Sequence, residues 1–173
     1  RETRKYLAPG LFGPCGYGLP SVVGAKIGRP DVPVVGFSGD GAFGIAVNEL
    51  TAIGREEWPA VTQIVFRNYQ WGAEKRNSTL WYDDNFVGTE LDTQVSYAGI
   101  AKACGLQGVV AKTMDELTEA LHTAIKDQME NGKTTLIEAM INQELGEPFR
   151  RDAMKKPVAV AGVSASDMRE QVV

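Results

Sequence analysis

A carboxylate enclosed by two glycines, Gly39-Asp40-Gly41, follows the strand-like run Val34-Val35-Gly36-Phe37-Ser38 and precedes an apolar stretch from Ala42 to Ile53 suited to a helix. The next apolar run, Ile64-Val65-Phe66-Arg67, closes on an amide residue, Asn68. Strand, glycine turn, helix and strand in this order build a parallel α/β sheet, whose strand carboxyl ends open onto one crevice. Asp40 and Asn68 are therefore expected to meet there. Two hard oxygen ligands on a glycine turn suit Mg²⁺ carrying a diphosphate. The glycines allow close backbone approach to a phosphate, and a helix beginning near Ala42 directs its electropositive end at the anion. Asn68 adds a neutral carbonyl oxygen, so the metal is held without an excess of negative charge beside a polyanion.

Two other readings use the same letters. Gly39-Asp40-Gly41-Ala42-Phe43-Gly44 also matches the G-x-G-x-x-G dinucleotide fingerprint. Against it, Asp40 would repel a bare pyrophosphate, and the second strand ends in Arg67-Asn68 where NAD binding wants an acidic residue for the ribose. Arg67 could serve a 2′-phosphate, which keeps an NADP site open. The plainest reading takes these as turn glycines around an Asx-type aspartate.

Upstream, Pro9-Gly10-Leu11-Phe12-Gly13-Pro14-Cys15-Gly16-Tyr17-Gly18-Leu19-Pro20 leads into a helical run, Ser21 to Gly28. Taken with Gly39-Asp40-Gly41 and with Asn68 about 30 residues later, these pieces resemble the diphosphate-binding domain of thiamine diphosphate enzymes in the acetolactate synthase superfamily. The strings from Arg67 to Asn77, from Leu80 to Leu91 and from Asn142 to Pro157 narrow the likeness to the sulfoacetaldehyde acetyltransferase branch.

The resemblance implies thiamine diphosphate and Mg²⁺ as cofactors. Asp40, Asn68 and the main-chain carbonyl of Gln70 would be metal ligands. Gly13, through its carbonyl, with Cys15, Gly16, Gly39, Gly41, Ala42, Trp71 and Gly72, would line the cofactor. Ala73, Glu74 and Asn77 would face the reacting centre, the alternative being a short helix with a solvated polar face. Small-molecule substrates, sulfoacetaldehyde and phosphate, would give acetyl phosphate and sulfite. A glutamate from a pyrimidine-binding domain on a partner subunit would complete the site, so the protein is expected to be a homo-oligomer. Two positions depart from the superfamily pattern: Arg67 replaces the first of two asparagines, and Cys15 stands where a bulky apolar residue wedges the cofactor. Another carboligase or decarboxylase of the acetolactate synthase type, or a cofactor-binding module without chemistry, remains open at this point.

The rest of the chain fits a single α/β domain. Its 173 residues suffice for an ordinary core. The expectation is a doubly wound, mostly parallel sheet with helices on both faces over residues 1–157, and a C-terminal tail over 158–173. Arg1 to Pro9 reads as a linker entering from a preceding part of a larger polypeptide. The net charge of −4 argues against nucleic-acid binding, which needs a basic surface. Cys15 and Cys104 give neither a disulfide framework nor a metal spacing and fit a reducing, cytoplasmic compartment. No apolar run is long enough for a membrane span.

Helices are expected over Tyr17–Gly28, Ala42–Arg55, Trp71–Thr79 and Tyr97–Cys104, and strands over Pro33–Ser38, Val61–Asn68, Gln107–Ala111 and Thr135–Ile141. Tyr82 to Leu91 reads as a loop. Thr113 and Glu116 mark a capped helix with Leu117, Leu121 and Ile125 on one face, ending near Asn131-Gly132. His122, the single histidine, falls mid-helix and reads as solvated. Glu49 reads as an ordinary helix charge. Arg150, Arg151, Lys155 and Lys156 form a basic cluster that is either a solvated tail or a host for sulfonate and phosphate, with Lys75 and Arg76 as alternative hosts. Phe12, Trp71 and Trp81 either line the pocket or pack in the core.

Overall fold

The computed structural model describes residues 5–145. Arg150, Arg151, Lys155, Lys156 and the domain boundary expected at 157 lie outside the described residues. Four strands, β1 (Val35–Gly39), β2 (Thr62–Arg67), β3 (Gln107–Ala111) and β4 (Thr135–Met140), form one sheet in the order β1-β2-β4-β3, parallel throughout. Around them lie α1 (Gly18–Gly28), α2 (Asp40–Ile45), α3 (Leu50–Ile53), α4 (Gly72–Trp81), α5 (Tyr97–Ala103) and α6 (Met114–Glu130).

The period-2 alternation of each strand divides the core in two. On one face Val65 and Leu136 pack with Leu19, Val22 and Val23 of α1, Phe43 of α2, Leu50 and Ile53 of α3, and Tyr97 and Ala101 of α5. On the other, Ile64, Ile137 and Ala139 pack with Ala120 and Ala124 of α6. Helices on both faces of a parallel sheet make the fold doubly wound, as expected. Among the described residues no helix is long and apolar enough to cross a membrane.

One expectation needs correction. The helix read as Ala42–Arg55 starts at Asp40 and breaks after Ile45, continuing as a 3-10 turn at Val47–Glu49 and then α3. The break follows Gly44 and includes Asn48, both poor helix formers, and the Ala46 N–H turns back to the Phe43 carbonyl at 3.0 Å. The break keeps Phe43, Ala46 and Leu50 buried while Ile45 faces out. In α6, Leu117, Leu121 and Ile125 are only half-buried, and Ala120, Ala124 and Gln128 make the deepest contact. The small alanines let the helix lie close on the sheet, and Gln128 is drawn in by hydrogen bonds to both backbone groups of Val34 (2.8 and 2.9 Å). The N-cap is as read: Thr113 Oγ1 accepts from the Glu116 N–H at 3.2 Å. The Glu116 carboxylate reaches the Lys112 N–H rather than that of Thr113. Between Tyr82 and Leu91 there is no helix or strand, only an isolated antiparallel bridge between Glu90 and Gln70.

Candidate functional site

The carboxyl ends of β1 and β2 are neighbours, with Gly39 opposite Phe66 in the register. Asp40 follows the first and Asn68 the second, so the sheet itself brings them together. Asp40 is 1% exposed. Its Oδ2 accepts three hydrogen bonds, from the N–H groups of Tyr69 (2.7 Å) and Asn68 (3.1 Å) and from Arg67 Nη1 (3.1 Å). Its Oδ1 accepts one, from the Gly41 N–H (3.0 Å). One oxygen anchors the carboxylate to the tip of β2 and the other is left largely free.

Asn68 meets that free oxygen. Its terminal amide atom lies 3.2 Å from Asp40 Oδ1 and 3.1 Å from the Gln70 carbonyl oxygen. With nitrogen in that place the amide donates to both. With oxygen there, three acceptor oxygens converge; Asp40 Oδ1 keeps the Gly41 N–H (3.0 Å) and the Asn68 oxygen accepts from the Gln70 N–H (3.3 Å). Oxygens roughly 3 Å apart are spaced as neighbouring ligands of an octahedral Mg²⁺ with bonds of 2.0–2.1 Å. Among the described residues no three His, Cys, Asp or Glu side chains converge, so a cation has to use one carboxylate with amide and carbonyl oxygens. The donor set fits Mg²⁺ accompanied by phosphate oxygens. Tyr69, between Asn68 and Gln70, holds φ +61°, a left-handed conformation that turns the chain sharply after β2. The Gln70 side chain is buried, and its Nε2 donates to the Gln143 carbonyl (2.9 Å) while Gln143 Nε2 donates to the Asn68 carbonyl (3.1 Å), which ties the segment after β4 to the site.

Sequence reasoning missed the support beneath this pair. Arg67 is 1% exposed and spends its donors inside the protein: Nη1 on Asp40, Nη2 on the carbonyls of Asp92 (2.6 Å) and Val95 (3.0 Å). Its guanidinium stacks on the rings of Tyr69 and Tyr97, 4.2 and 5.0 Å from their centres. Nε lies 3.5 Å from Glu138 Oε1, beyond hydrogen-bond reach. Glu138 Oε2 accepts from Ser96 Oγ (2.8 Å) and the Ala98 N–H (3.1 Å). The Tyr97 hydroxyl donates to the Asp40 carbonyl (3.1 Å), and burial pushes the Tyr97 phenol above its usual range. The signal was in the sequence: Glu138 is a lone carboxylate inside an apolar interior strand, and such a charge needs a partner. The NADP reading fails here, because Arg67 has no donor turned outward for a 2′-phosphate.

The upstream glycine loop lies beside the same strand end. Gly16 holds φ +89°, and a Cβ there would come within 2.9 Å of the Ile45 side chain; Gly18 faces Ser38. Gly13 holds φ +58°, and Cys15 is an exposed free thiol. Trp71 caps α4 and lays its ring over Gly41, where a Cβ would sit 2.8 Å from the indole. Gly39 precedes α2 with open space around it, and Ala42 is half-buried in the first turn. The Gly41 N–H is used by its neighbour Asp40. Gly72 lies against the Asn68 amide and Leu145.

Ala73, Glu74 and Asn77 are exposed together on one side of α4, which starts directly after the turn that follows β2. Arg76 is half-buried on that helix, and Lys75 is paired with Glu90. Phe12 is 92% exposed and Trp81 is also exposed, so core packing accounts for neither. His122 is exposed on α6, as read. A groove of about 560 Å³ lies at the other edge of the sheet between β3 and α6, lined by Val109, Val110, Glu116, Ala120 and Asp127. Two strands separate it from Asp40, and it takes no part in the site.

A family model described as the C-terminal TPP binding domain of thiamine pyrophosphate enzymes matches residues 1–139. The chain is 87% identical over 99% of its length to a sulfoacetaldehyde acetyltransferase of Roseovarius nubinhibens, and 80% identical over 97% to one of Rhodobacter capsulatus. It spans 28% of the length of each of these curated relatives. Among solved structures, benzoylformate decarboxylase from Polynucleobacter necessarius superposes with a TM-score of 0.65 at 28% identity, over 78% of this chain and 25% of that one. With a matching fold, the glycine loops in place and a family match over most of its length, this chain belongs to the thiamine pyrophosphate enzymes, as their C-terminal cofactor-binding domain.

Proposed function

We propose that this domain is the cofactor-binding part of a cytoplasmic, homo-oligomeric sulfoacetaldehyde acetyltransferase that depends on thiamine diphosphate and Mg²⁺. It would convert sulfoacetaldehyde and phosphate to acetyl phosphate and sulfite. The observation that carries the reading is the meeting of Asp40 Oδ1, the Asn68 amide and the Gln70 carbonyl at the tips of β1 and β2. The close likeness to enzymes named for this reaction supports the choice of substrate.

Asp40, Asn68 and the Gln70 carbonyl hold the metal. Gly39, Gly41, Ala42 and Gly72 leave room for the diphosphate, and the Gly13 carbonyl, Cys15, Gly16 and Trp71 border the rest of the cofactor. Bound there, thiamine diphosphate supplies the carbanion chemistry. The domain contributes position and charge: Ala73 leaves space for substrate, Asn77 donates a hydrogen bond to it, Glu74 borders the reacting centre, and Arg76 with Arg150 and Arg151 offers guanidinium forks to sulfonate or phosphate oxygens. A glutamate from a pyrimidine-binding domain of a partner subunit completes the site, so the 173 residues alone yield no acetyl phosphate.

The test is sulfite release and acetyl phosphate formation by the full-length enzyme given sulfoacetaldehyde and phosphate. Asp40→Ala should weaken Mg²⁺-dependent binding of thiamine diphosphate, read by calorimetry, by more than the roughly 10- to 100-fold that outer-shell changes cost. Acetolactate from pyruvate in place of sulfite from sulfoacetaldehyde would overturn the substrate. Unchanged affinity in Asp40→Ala would remove Asp40 from the metal site.

A further inference from the structure

We infer that Arg67 is a positioning residue that makes Asp40 a one-oxygen ligand and so sets the preference of the site for a small octahedral cation over a larger one. The inference rests on the metal reading above and goes beyond it, because it assigns cation choice to a residue that acts through Asp40 and does not itself hold the metal.

The argument starts from the two unequal oxygens of Asp40. Oδ2 already takes three hydrogen bonds, one of them from Arg67 Nη1, while Oδ1 takes one and faces Asn68. A cation that grips both carboxylate oxygens has to displace a donor from Oδ2. The two backbone donors cannot leave without undoing the turn at Tyr69, and Arg67 cannot leave either. Its Nη2 is fixed by the Asp92 and Val95 carbonyls, its plane by Tyr69 and Tyr97, and Glu138 stands beside Nε. Mg²⁺ accepts single oxygens in an octahedron; Ca²⁺ takes more ligands and uses carboxylates with both oxygens. Closing Oδ2 therefore penalises the larger ion.

The experiment uses the full-length enzyme freed of metal. Mg²⁺ and Ca²⁺ are titrated separately in the presence of thiamine diphosphate and followed by calorimetry. Arg67→Lys keeps the charge but loses the fork. It should weaken Mg²⁺ by roughly 10- to 100-fold, the range for outer-shell partners, and weaken Ca²⁺ distinctly less, so that the affinity ratio moves toward Ca²⁺. A double variant, Arg67→Met with Glu138→Gln, removes the cation together with one of its two buried counter-charges, leaves Asp40 to its backbone donors and the metal, and should move the ratio further. If that protein does not fold, Arg67→Lys alone decides. An equal fall for both ions, as a merely loosened site would give, overturns the inference, and so does an unchanged ratio. Asp40→Asn separates the two levels. If it binds both ions like the parent, the metal reading itself has failed; if it loses both while the Arg67 variants keep the parental ratio, only the role of Arg67 has failed.

Discussion

The two ends of the sheet bury polar groups in opposite ways. At the amino ends of the strands, Lys26 donates from Nζ to the carbonyls of Pro30 (3.0 Å) and Val32 (2.8 Å), Gln128 bridges Val34 and Thr62, and Thr134 Oγ1 accepts from the Val61 N–H. Apart from the side-chain contact of Gln128 with Thr62, these bonds all end on backbone groups. At the carboxyl ends, Asp40, Arg67 and Glu138 are all buried, and Asp40 Oδ1 and the Gln70 carbonyl oxygen both face the side-chain amide of Asn68. Three of the four described buried side-chain atoms without a partner, Arg67 Nε, Gln70 Oε1 and Thr89 Oγ1, lie here; the fourth, Gln63 Oε1, lies within β2 against Gly36. A buried polar group that is fully matched stabilises a chain end. One left in surplus costs stability unless something binds it.

The contrast can be broken most forcefully at Glu138. Removing it as Glu138→Ala strands Arg67 beside a single counter-charge and leaves the Ser96 hydroxyl proton and the Ala98 N–H without their acceptor. Breaking a buried ionic cluster by deleting one partner costs about 3–5 kcal/mol. Chemical unfolding of the chain should show a loss of that order, together with weaker metal-dependent cofactor binding. A loss below about 1 kcal/mol would mean that Glu138 is a bystander and that the carboxyl end is not held by its charges.

This difference between the ends also explains what could be read in advance. The period of apolar residues and the turn glycines were enough for all four strands, for α1, α4, α5 and α6, and for the encounter of Asp40 with Asn68, because topology alone delivers strand tips to one crevice. What could not be read was the company those residues keep. A 2′-phosphate contact by Arg67 stayed open as an alternative, since its position at the end of β2 does not reveal which way the side chain turns. It turns inward because Asp40 and Glu138, one residue after β1 and one inside β4, flank it in space while lying far apart in the chain. Similarly, the single helix expected after Gly41 breaks at Ala46, a choice made by tertiary packing of Phe43 and Leu50 over weak local propensity. The side of α4 that carries Ala73, Glu74 and Asn77 follows from helical spacing, but the substrate they meet does not.

A milder perturbation, Lys26→Met, sharpens the contrast from the other end. It leaves the carbonyls of exposed Pro30 and half-buried Val32 without their donor, and losing a hydrogen bond there costs about 0.5–1.5 kcal/mol. Part of that returns, because burial already lowers the Lys26 pKa and so penalises its charge, with Asp31 only partly opposing. Methionine also packs well beside Met129, which Lys26 touches now. The expected loss is about 1 kcal/mol in chemical unfolding, with cofactor and metal affinity unchanged. Altered metal affinity would show that the two ends communicate and that the division drawn between them is false.

A comparable effect that fades as the pH rises is expected at Tyr97, which belongs to the carboxyl end by its hydroxyl and to the core by its ring, set edge-on to Phe43 at 5.0 Å. Its phenol pKa is raised above 10.0, first by burial; Arg67 opposes the rise, and Asp40 and Glu138 add to it. The folded chain therefore keeps this proton at a pH where the unfolded chain has released it. The stability that Tyr97 contributes is present in full below the unfolded value and is lost as the pH climbs through the folded one. Tyr97→Phe removes the hydrogen bond to the Asp40 carbonyl at a cost of about 0.5–1.5 kcal/mol at neutral pH, and removes the titration with it. Unfolding measured at about pH 9 and again at about pH 11 should show the parent losing more than Tyr97→Phe, so that the gap narrows. Parallel losses in the two proteins would mean that the hydroxyl is open to water, and that the floor beneath Asp40 is wetter than its hydrogen bonds imply.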